Sequence, residues 1–326
     1  MELGLLDIGS NSARLEVVDL DRERLPRASW SYKARTRLAE HTGPDGLVTD
    51  TGVQRATEAV RRCLHAGRER LPRALVAYGT SAVRDARNGA ELRRRLGEAA
   101  GSRIGVLSPR AEAALTYRGA RRWHGRPGGR LTTVDIGGGT FDVVTGTGHC
   151  PEEVASFPFG AARLTRRYLP DDPPRTDQVA ELAEVVERRI HDRLHHYARA
   201  DLGHPIAQSK VLRQLAVLTE STDGHVARGA DRLARARLAR WIPRLAELDQ
   251  KQRAALPGLS RGRAKRVLAG AIVADTVLRA IGVESLEICP WGLREGVVFR
   301  CVEACEAARA DERPDAVRAV MAEMFT

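Results

Sequence analysis

Residues 5–19 read LLDIGSNSARLEVVD and residues 133–146 read TVDIGGGTFDVVTG. The two stretches share one pattern: an apolar run, Asp-Ile-Gly, a short turn of small residues, and a second apolar run. Each run has the length and composition of a buried strand, so each stretch predicts strand, turn, strand. A dinucleotide-binding fingerprint would lead from its glycines into a helix, and neither stretch does. Small residues at such a tip expose several backbone N–H groups. Glycine lets the backbone approach a phosphate closely, and Ser10, Ser12 and Thr140 add hydroxyl donors. Asp7 and Asp135, each at a strand end, suit a Mg²⁺ ion or another divalent cation that also touches the phosphate. One copy is compatible with a plain hairpin and an incidental aspartate. Two copies, each opening a unit of the chain, favour phosphate binding.

Working outward, strand-like and helix-like segments alternate, which predicts an α/β protein. After the first hairpin come a third apolar–polar segment at 28–38 and a helix capped by Thr49 that carries Val53, Val60, Cys63 and Leu64 on one face. A strand at 74–78, helix to Gly101, strand at 104–107 and helix at 110–121 complete the first unit. The expected domains are residues 1–128 and 129–300, each with the same core. Residues 301–326 are expected as a C-terminal helix and tail on the surface, able to pack back on the first domain. From Asp177 onward the chain reads as mainly helical. The basic stretch 227–281 reads as helical with breaks at Pro243, Pro257 and Gly258, and a last short strand is expected at 285–288.

Aromatic residues are only 4% of the 326-residue chain, so the cores must be aliphatic. No apolar run reaches membrane-spanning length, and the N-terminus has no secretory pattern; both point to a cytoplasmic protein with no membrane partner. Five cysteines, with no CxxC pair, read as reduced thiols. The net charge of +11 comes almost entirely from arginine, whose planar fork suits phosphate oxygens. Nucleic acid would fit the charge too, but the basic runs lack the interleaved aromatics of a single-strand binder. Arg228, Arg232, Arg235, Arg237, Arg240, Arg244, Arg261, Arg263, Lys265 and Arg266 suit either a path for a long polyanion or a solvated helix face.

Five segments in order resemble motifs of the exopolyphosphatase and guanosine-pentaphosphate phosphatase family: LDIGSNSARLEVVD, GTSAVRDARN (79–88), LSPRAEAALTYRGA (107–120), DIGGGTFD (135–142) and CPWGLREGVV (289–298). Length and the SKxxRxLAxL segment at 209–218 resemble the actinobacterial two-domain form. The resemblance implies an α/β two-domain actin-like fold, that of the acetate kinase, sugar kinase and actin superfamily, with a duplicated ribonuclease-H-like core. It implies hydrolysis of terminal phosphate from polyphosphate or guanosine pentaphosphate, a homodimer as the candidate assembly, and the following roles. Glu112 would activate water and Arg84 would clamp a phosphate. Gly9, Ser10, Asn11, Ser12, Gly137, Gly138, Gly139, Thr140, Ser209 and Lys210 would bind phosphate. Asp7, Asp135 and Asp142 would hold the metal. A non-catalytic polyphosphate- or nucleotide-binding regulator, or an ATP-using enzyme of the same superfamily, are the rival readings.

Three departures from the family pattern stand out. Ala111 replaces the first Glu of a Glu-Glu pair, and Asp142 replaces a Glu. Residues 207–211 read AQSKV where a loop such as Gly-Thr-Ser-Lys-Thr is usual. Read as a loop, AQSKV lacks a glycine and two hydroxyls, and restoring them predicts a gain in phosphate release.

Overall fold

The computed structural model describes residues 1–20, 28–72, 74–125, 128–221, 227, 229–309 and 312–325, with only the backbone of residues 198 and 199. The chain divides into two compact units, Met1–Leu115 with Leu293–Thr326, and Thr116–Gly292. These changeover points differ from the 128/129 and 300/301 boundaries read from sequence.

In the first unit, β1 (Glu2–Ile8), β2 (Ser12–Asp19) and β3 (Ala28–Arg35) form an antiparallel meander. Helix α1 (Asp50–Gly67) crosses over to β4 (Leu75–Gly79), which lies parallel to β1. Helices α2 (Ser81–Arg84) and α3 (Gly89–Ala100) precede β5 (Gly105–Val106), parallel to β4. The sheet order is β3-β2-β1-β4-β5. Thr49 caps α1 as expected, its side-chain oxygen accepting from the Gly52 amide at 3.2 Å. One face of the sheet packs on α1 and α3 through Leu6, Ile8, Leu15, Val60 and Leu92. The other face, Leu3, Leu5 and Tyr78, buries residues of the C-terminal segment.

Helix α4 (Pro109–His124) leads into the second unit, where β6 (Leu131–Ile136), β7 (Phe141–Gly146) and β8 (Glu153–Phe157) repeat the meander. Helices α5 (Ala161–Tyr168) and α6 (Thr176–Leu194) cross to β9 (His204–Gln208), parallel to β6. Helix α7 (Lys210–Glu220), strand β10 (Arg232–Ala234) and helices α8 (Arg235–Glu247), α9 (Gln250–Ala255), α10 (Arg261–Ala264) and α11 (Val267–Ala280) precede β11 (Ser285–Ile288). The order is β10-β11-β9-β6-β7-β8. Without the edge strand β10 it is the order of the first sheet. The echo seen in sequence is therefore a duplicated core, with parallel strands joined by helical crossovers in both copies.

The C-terminal segment, α12 (Leu293–Ala307) and α13 (Arg313–Met324), belongs to the first unit. It is not simply a surface helix: Val317 and Phe325 are buried, and Phe325 stacks on Tyr78 with ring centroids 5.3 Å apart. Two expectations for 227–281 are corrected. Residues 232–234 are a strand, and α8 runs through Pro243 instead of breaking there. Pro243 sits on the exposed face, where water can satisfy the carbonyl its ring leaves without a partner, while Leu238 and Leu245, two turns apart, stay buried. The break at Gly258 stands, with φ +74. Arg228 lies outside the described residues. Arg235 and Arg237 in the same run pair with Glu284 and Glu220, so these charges are partly spent within the fold.

Candidate functional site

In the first unit the β1–β2 turn is closed from behind. The Gly9 carbonyl accepts from Thr36 Oγ1 at 2.9 Å, and the Ser10 carbonyl from the Ala39 amide at 2.9 Å. The Asn11 carbonyl accepts from the amides of Thr36 at 3.0 Å and Arg37 at 3.3 Å. In a trans peptide the C=O and the following N–H point in opposite directions. Fixing these three carbonyls therefore turns the amides of Ser10, Asn11 and Ser12 toward the open side of the turn. The Gly9 amide itself closes the hairpin on the Ser12 carbonyl at 3.0 Å, so it is not among the donors offered outward.

The second unit repeats the device with other residues. The carbonyls of Gly137 and Gly139 accept from the amides of Ala161 at 3.0 Å and Gly160 at 3.1 Å. The Gly138 carbonyl accepts from Ala162 at 3.1 Å and Arg163 at 3.0 Å. The amides of Gly138, Gly139 and Thr140 are thereby turned outward, while that of Gly137 closes the hairpin on Thr140 at 2.9 Å. The contact is so close that a Cβ on Gly160 would lie 2.4 Å from backbone atoms of both Gly138 and Gly139. Three adjacent outward amides make an anion-binding concavity. The turns are legible in the sequence, but Thr36 and Gly160, which aim them, are not.

The aspartates differ between the copies. Asp7 faces Arg14 across the β1–β2 ladder, whereas Asp135 faces Asp142 across β6–β7. Directly opposed side chains on antiparallel strands share a face, and like charges there are unfavourable. Oxygen donors of this kind suit Mg²⁺. The second-unit pair thus fits a divalent cation by both charge and donor type.

Glu112 lies in the first turn of α4, which Ser108 caps by accepting from the Ala111 amide at 3.2 Å. Its carboxylate accepts from Arg84 Nη1 at 2.6 Å. The same nitrogen donates to the Leu107 carbonyl at 3.1 Å, and Nε to Asp85 at 2.8 Å. Nη2 of this guanidinium is buried with no hydrogen-bond partner among the described residues. Burial raises the Glu112 carboxyl above the ordinary glutamate value, against the opposing pull of Arg84. Ala111, in place of the usual glutamate, packs against the apolar cluster of the first unit. In the C-terminal motif, Arg294 donates to the buried Glu16 of β2 at 2.9 Å, which anchors the start of α12. A Cβ on Gly296 would meet the Leu115 carbonyl at 1.9 Å, so this glycine permits the close passage of α12 over α4.

Residues 207–211 are not an open loop. Ala207 and Gln208 end β9, fully buried. Gln208 Nε2 donates to the carbonyls of Thr116 at 2.8 Å and Trp291 at 2.9 Å. Ser209 caps α7 through its hydroxyl oxygen, which accepts from the Leu212 amide at 3.3 Å, and it does so at φ +83. Lys210 is exposed at the first position of α7, and Val211 is buried. The missing glycine and hydroxyls are thus replaced by packing and by a side-chain tie.

The model of the Ppx/GppA phosphatase family matches residues 17–304. The chain belongs to the Ppx/GppA phosphatase family. Exopolyphosphatase 1 of Mycobacterium tuberculosis is 37% identical over 311 residues, covering 93% of this chain and 89% of that protein. Exopolyphosphatase 2 of the same organism is 30% identical over 314 residues, covering 92% and 94%. Among solved structures, an exopolyphosphatase from Cytophaga hutchinsonii superposes with TM-score 0.78 at 21% identity, covering 93% of this chain and 98% of that one. The Aquifex aeolicus Ppx/GppA protein gives 0.75 at 23%, covering 95% and 99%. The fold is that of this structural family: an α/β actin-like fold with a duplicated core. No helix among the described residues is long and apolar enough to cross a membrane.

Proposed function

We propose that this chain is an exopolyphosphatase, releasing terminal orthophosphate from inorganic polyphosphate in the cytoplasm by attack of water. The observation that carries the reading is Glu112. It is a carboxylate lifted by burial toward proton uptake and held by Arg84, in the motif that separates family hydrolases from kinases of the same fold. Glu112 orients the water and takes its proton. Arg84 keeps the carboxylate ionised and offers Nη2 to a phosphate oxygen. The outward amides of Ser10–Ser12 and of Gly138–Thr140 bind phosphate oxygens, with Ser209 and Lys210 adding a hydroxyl and a positive charge. Asp135 and Asp142 of the second unit would hold Mg²⁺, which when bound offsets negative charge on the phosphates. No side-chain nucleophile is needed in this scheme, which rests on positioning and charge neutralisation. The mycobacterial relatives named exopolyphosphatase support the choice of substrate.

The test is orthophosphate release from polyphosphate, guanosine pentaphosphate and ATP, with Mg²⁺ and with chelator, for the parent and Glu112→Gln. The expected result is Mg²⁺-dependent release from polyphosphate that falls about 10²–10⁴-fold in Glu112→Gln while polyphosphate binding persists. Preferential turnover of guanosine pentaphosphate would move the substrate assignment within the family. Binding without release on any substrate would replace the enzyme by a regulator.

A further inference from the structure

We propose that His124, His204 and Glu287 of the second unit form a transition-metal site, separate from the aspartates, that binds Zn²⁺ or a cation of similar ligand preference. One ligand atom from each of the three lies within 4.8 Å of the others. They come from three elements: the last turn of α4, the first residue of β9, and β11. Strands β9 and β11 are adjacent and parallel with Glu287 beside Ile206, so alternation puts the His204 and Glu287 side chains on one face. The His204 backbone is fixed, its amide donating to the Arg130 carbonyl at 2.9 Å. The preceding Gly203, at φ +59, packs so tightly that a Cβ would lie 2.0 Å from the same carbonyl. The two imidazoles stack with centroids 4.5 Å apart, and Glu287 contacts His204 Nε2.

This arrangement draws two imidazoles around a single carboxylate. A cation bonded to all three satisfies both rings and the carboxylate together, in the two-nitrogen, one-oxygen set that Zn²⁺, Ni²⁺ and Cu²⁺ prefer and Mg²⁺ does not. Tetrahedral ligands at Zn–N and Zn–O bond lengths stand about 3.4 Å apart, so modest side-chain rotation closes the set. His204 and Glu287 are each 32% exposed, which leaves an entry path and room for water as the remaining ligand. The site is at the start of β9, whereas Asp135 pairs with Gln208 at its end. Four residues of strand put roughly 13 Å between them. Metal here ties α4, β9 and β11 together and takes no part in the chemistry assigned to the aspartates.

The experiment is calorimetric titration of Zn²⁺ into the full chain in saturating Mg²⁺, with thermal melts, for the parent and for His124→Asn, His204→Asn and Glu287→Gln. One equivalent should bind the parent, raise its melting temperature, and persist in excess Mg²⁺. Each variant should weaken binding by at least the ~10–100-fold that even outer-shell changes cost. The parent loaded with Co²⁺, which needs no variant to fold, should show a visible d–d band and hyperfine-shifted N–H signals from two histidines. No stoichiometric binding by the parent overturns the proposal. So does binding that survives all three substitutions, or Co²⁺ signals lacking paired histidines.

Discussion

Gly160→Ala isolates the aiming of the second glycine turn, proposed to bind phosphate. Gly160 has φ −66 and ψ 149, which alanine adopts without strain. Through the unfolded chain alone the change should therefore stabilise the protein by about 0.4–1 kcal/mol. Sterically it cannot fit. The new Cβ would stand 2.4 Å from the Gly138 and Gly139 backbone, and relief to ordinary contact needs roughly 1 Å of movement. That movement breaks or stretches the bonds from the amides of Gly160 and Ala161, now 3.1 and 3.0 Å long. At about 0.5–1.5 kcal/mol for each bond the loss is about 1–3 kcal/mol, matching the usual range for overpacking. The net expectation is a loss of about 1–2 kcal/mol, or roughly 2–8 °C in melting temperature for a unit of this size. The outward amides of Gly138–Thr140 lose their aim at the same time, so KM for polyphosphate should rise more than the melting shift alone would explain. Thermal melts and steady-state phosphate release on the same preparations measure both. An unchanged or higher melting temperature with unchanged KM would refute the claim that this contact positions the turn.

Glu112 should set the acid limb of kcat/KM. The active form is the carboxylate and burial raises its pKa, so activity should fall as pH drops through a value higher than a solvated glutamate gives; Arg84→Met should move that limb higher still, and a limb at the ordinary glutamate value would remove Glu112 as the base. The combined change Ala207→Gly, Gln208→Thr and Val211→Thr should now lower stability, because it strips two hydrogen bonds from buried carbonyls and empties packed volume; a melting temperature at or above the parent's would restore the view of these residues as an open loop. Ser209→Gly should stabilise the second unit by about 1 kcal/mol, since it relieves backbone strain of about 1–3 kcal/mol at φ +83 and costs only a few tenths at the cap; a fall in urea midpoint would show that the serine is not strained.

What was legible in the sequence follows from the range of the interactions involved. The two hairpins, the Thr49 cap and the place of Glu112 in the first turn of α4 rest on residues close in sequence. Spacing and residue type report such features. Strands β8, β9 and β10 do not stand out in the sequence. Two have only five residues and one has three, and β10 is a sheet edge whose place depends on pairing with the distant β11. Pro243 reads as a break because local propensity dominates a sequence argument, whereas the buried Leu238 and Leu245 carry α8 past it. Gly160 is silent for another reason. A glycine before AARLTRRY looks like any helix start, and only the approach of the Gly138–Gly139 backbone gives it a role. The AQSKV stretch misleads because Gln208, a polar residue that suggests a surface loop, is fully buried with its amide tied to two carbonyls 83 and 92 residues away in sequence.

The two copies of the core differ in the charge across their hairpins, and the difference predicts where a divalent cation binds. In the first unit Asp7 is opposed by Arg14. In the second, Asp135 is opposed by Asp142, which is only 6% exposed. Two carboxylates about 5 Å apart repel by up to a few kcal/mol at the effective dielectric of a protein, and a divalent cation converts that cost into affinity. On the proposed reading, Mg²⁺ binding should therefore depend mainly on the second unit, while the proposed base and clamp, Glu112 and Arg84, lie in the first. Asp142→Asn removes one charge without changing shape, so in chelator its melting temperature should exceed the parent's. Mg²⁺ should stabilise the parent by RT ln(1 + [Mg²⁺]/Kd), about 2.7 kcal/mol at a hundredfold excess over Kd, and the variant by much less. Asp7→Asn removes a carboxylate that faces Arg14, itself paired with Glu16 at 3.3 Å, and not a second acid, so it should gain nothing in chelator and keep most of the Mg²⁺ increment. If Asp142→Asn melts lower in chelator and responds to Mg²⁺ as the parent does, the opposed pair is a structural feature of the hairpin and the cation belongs elsewhere.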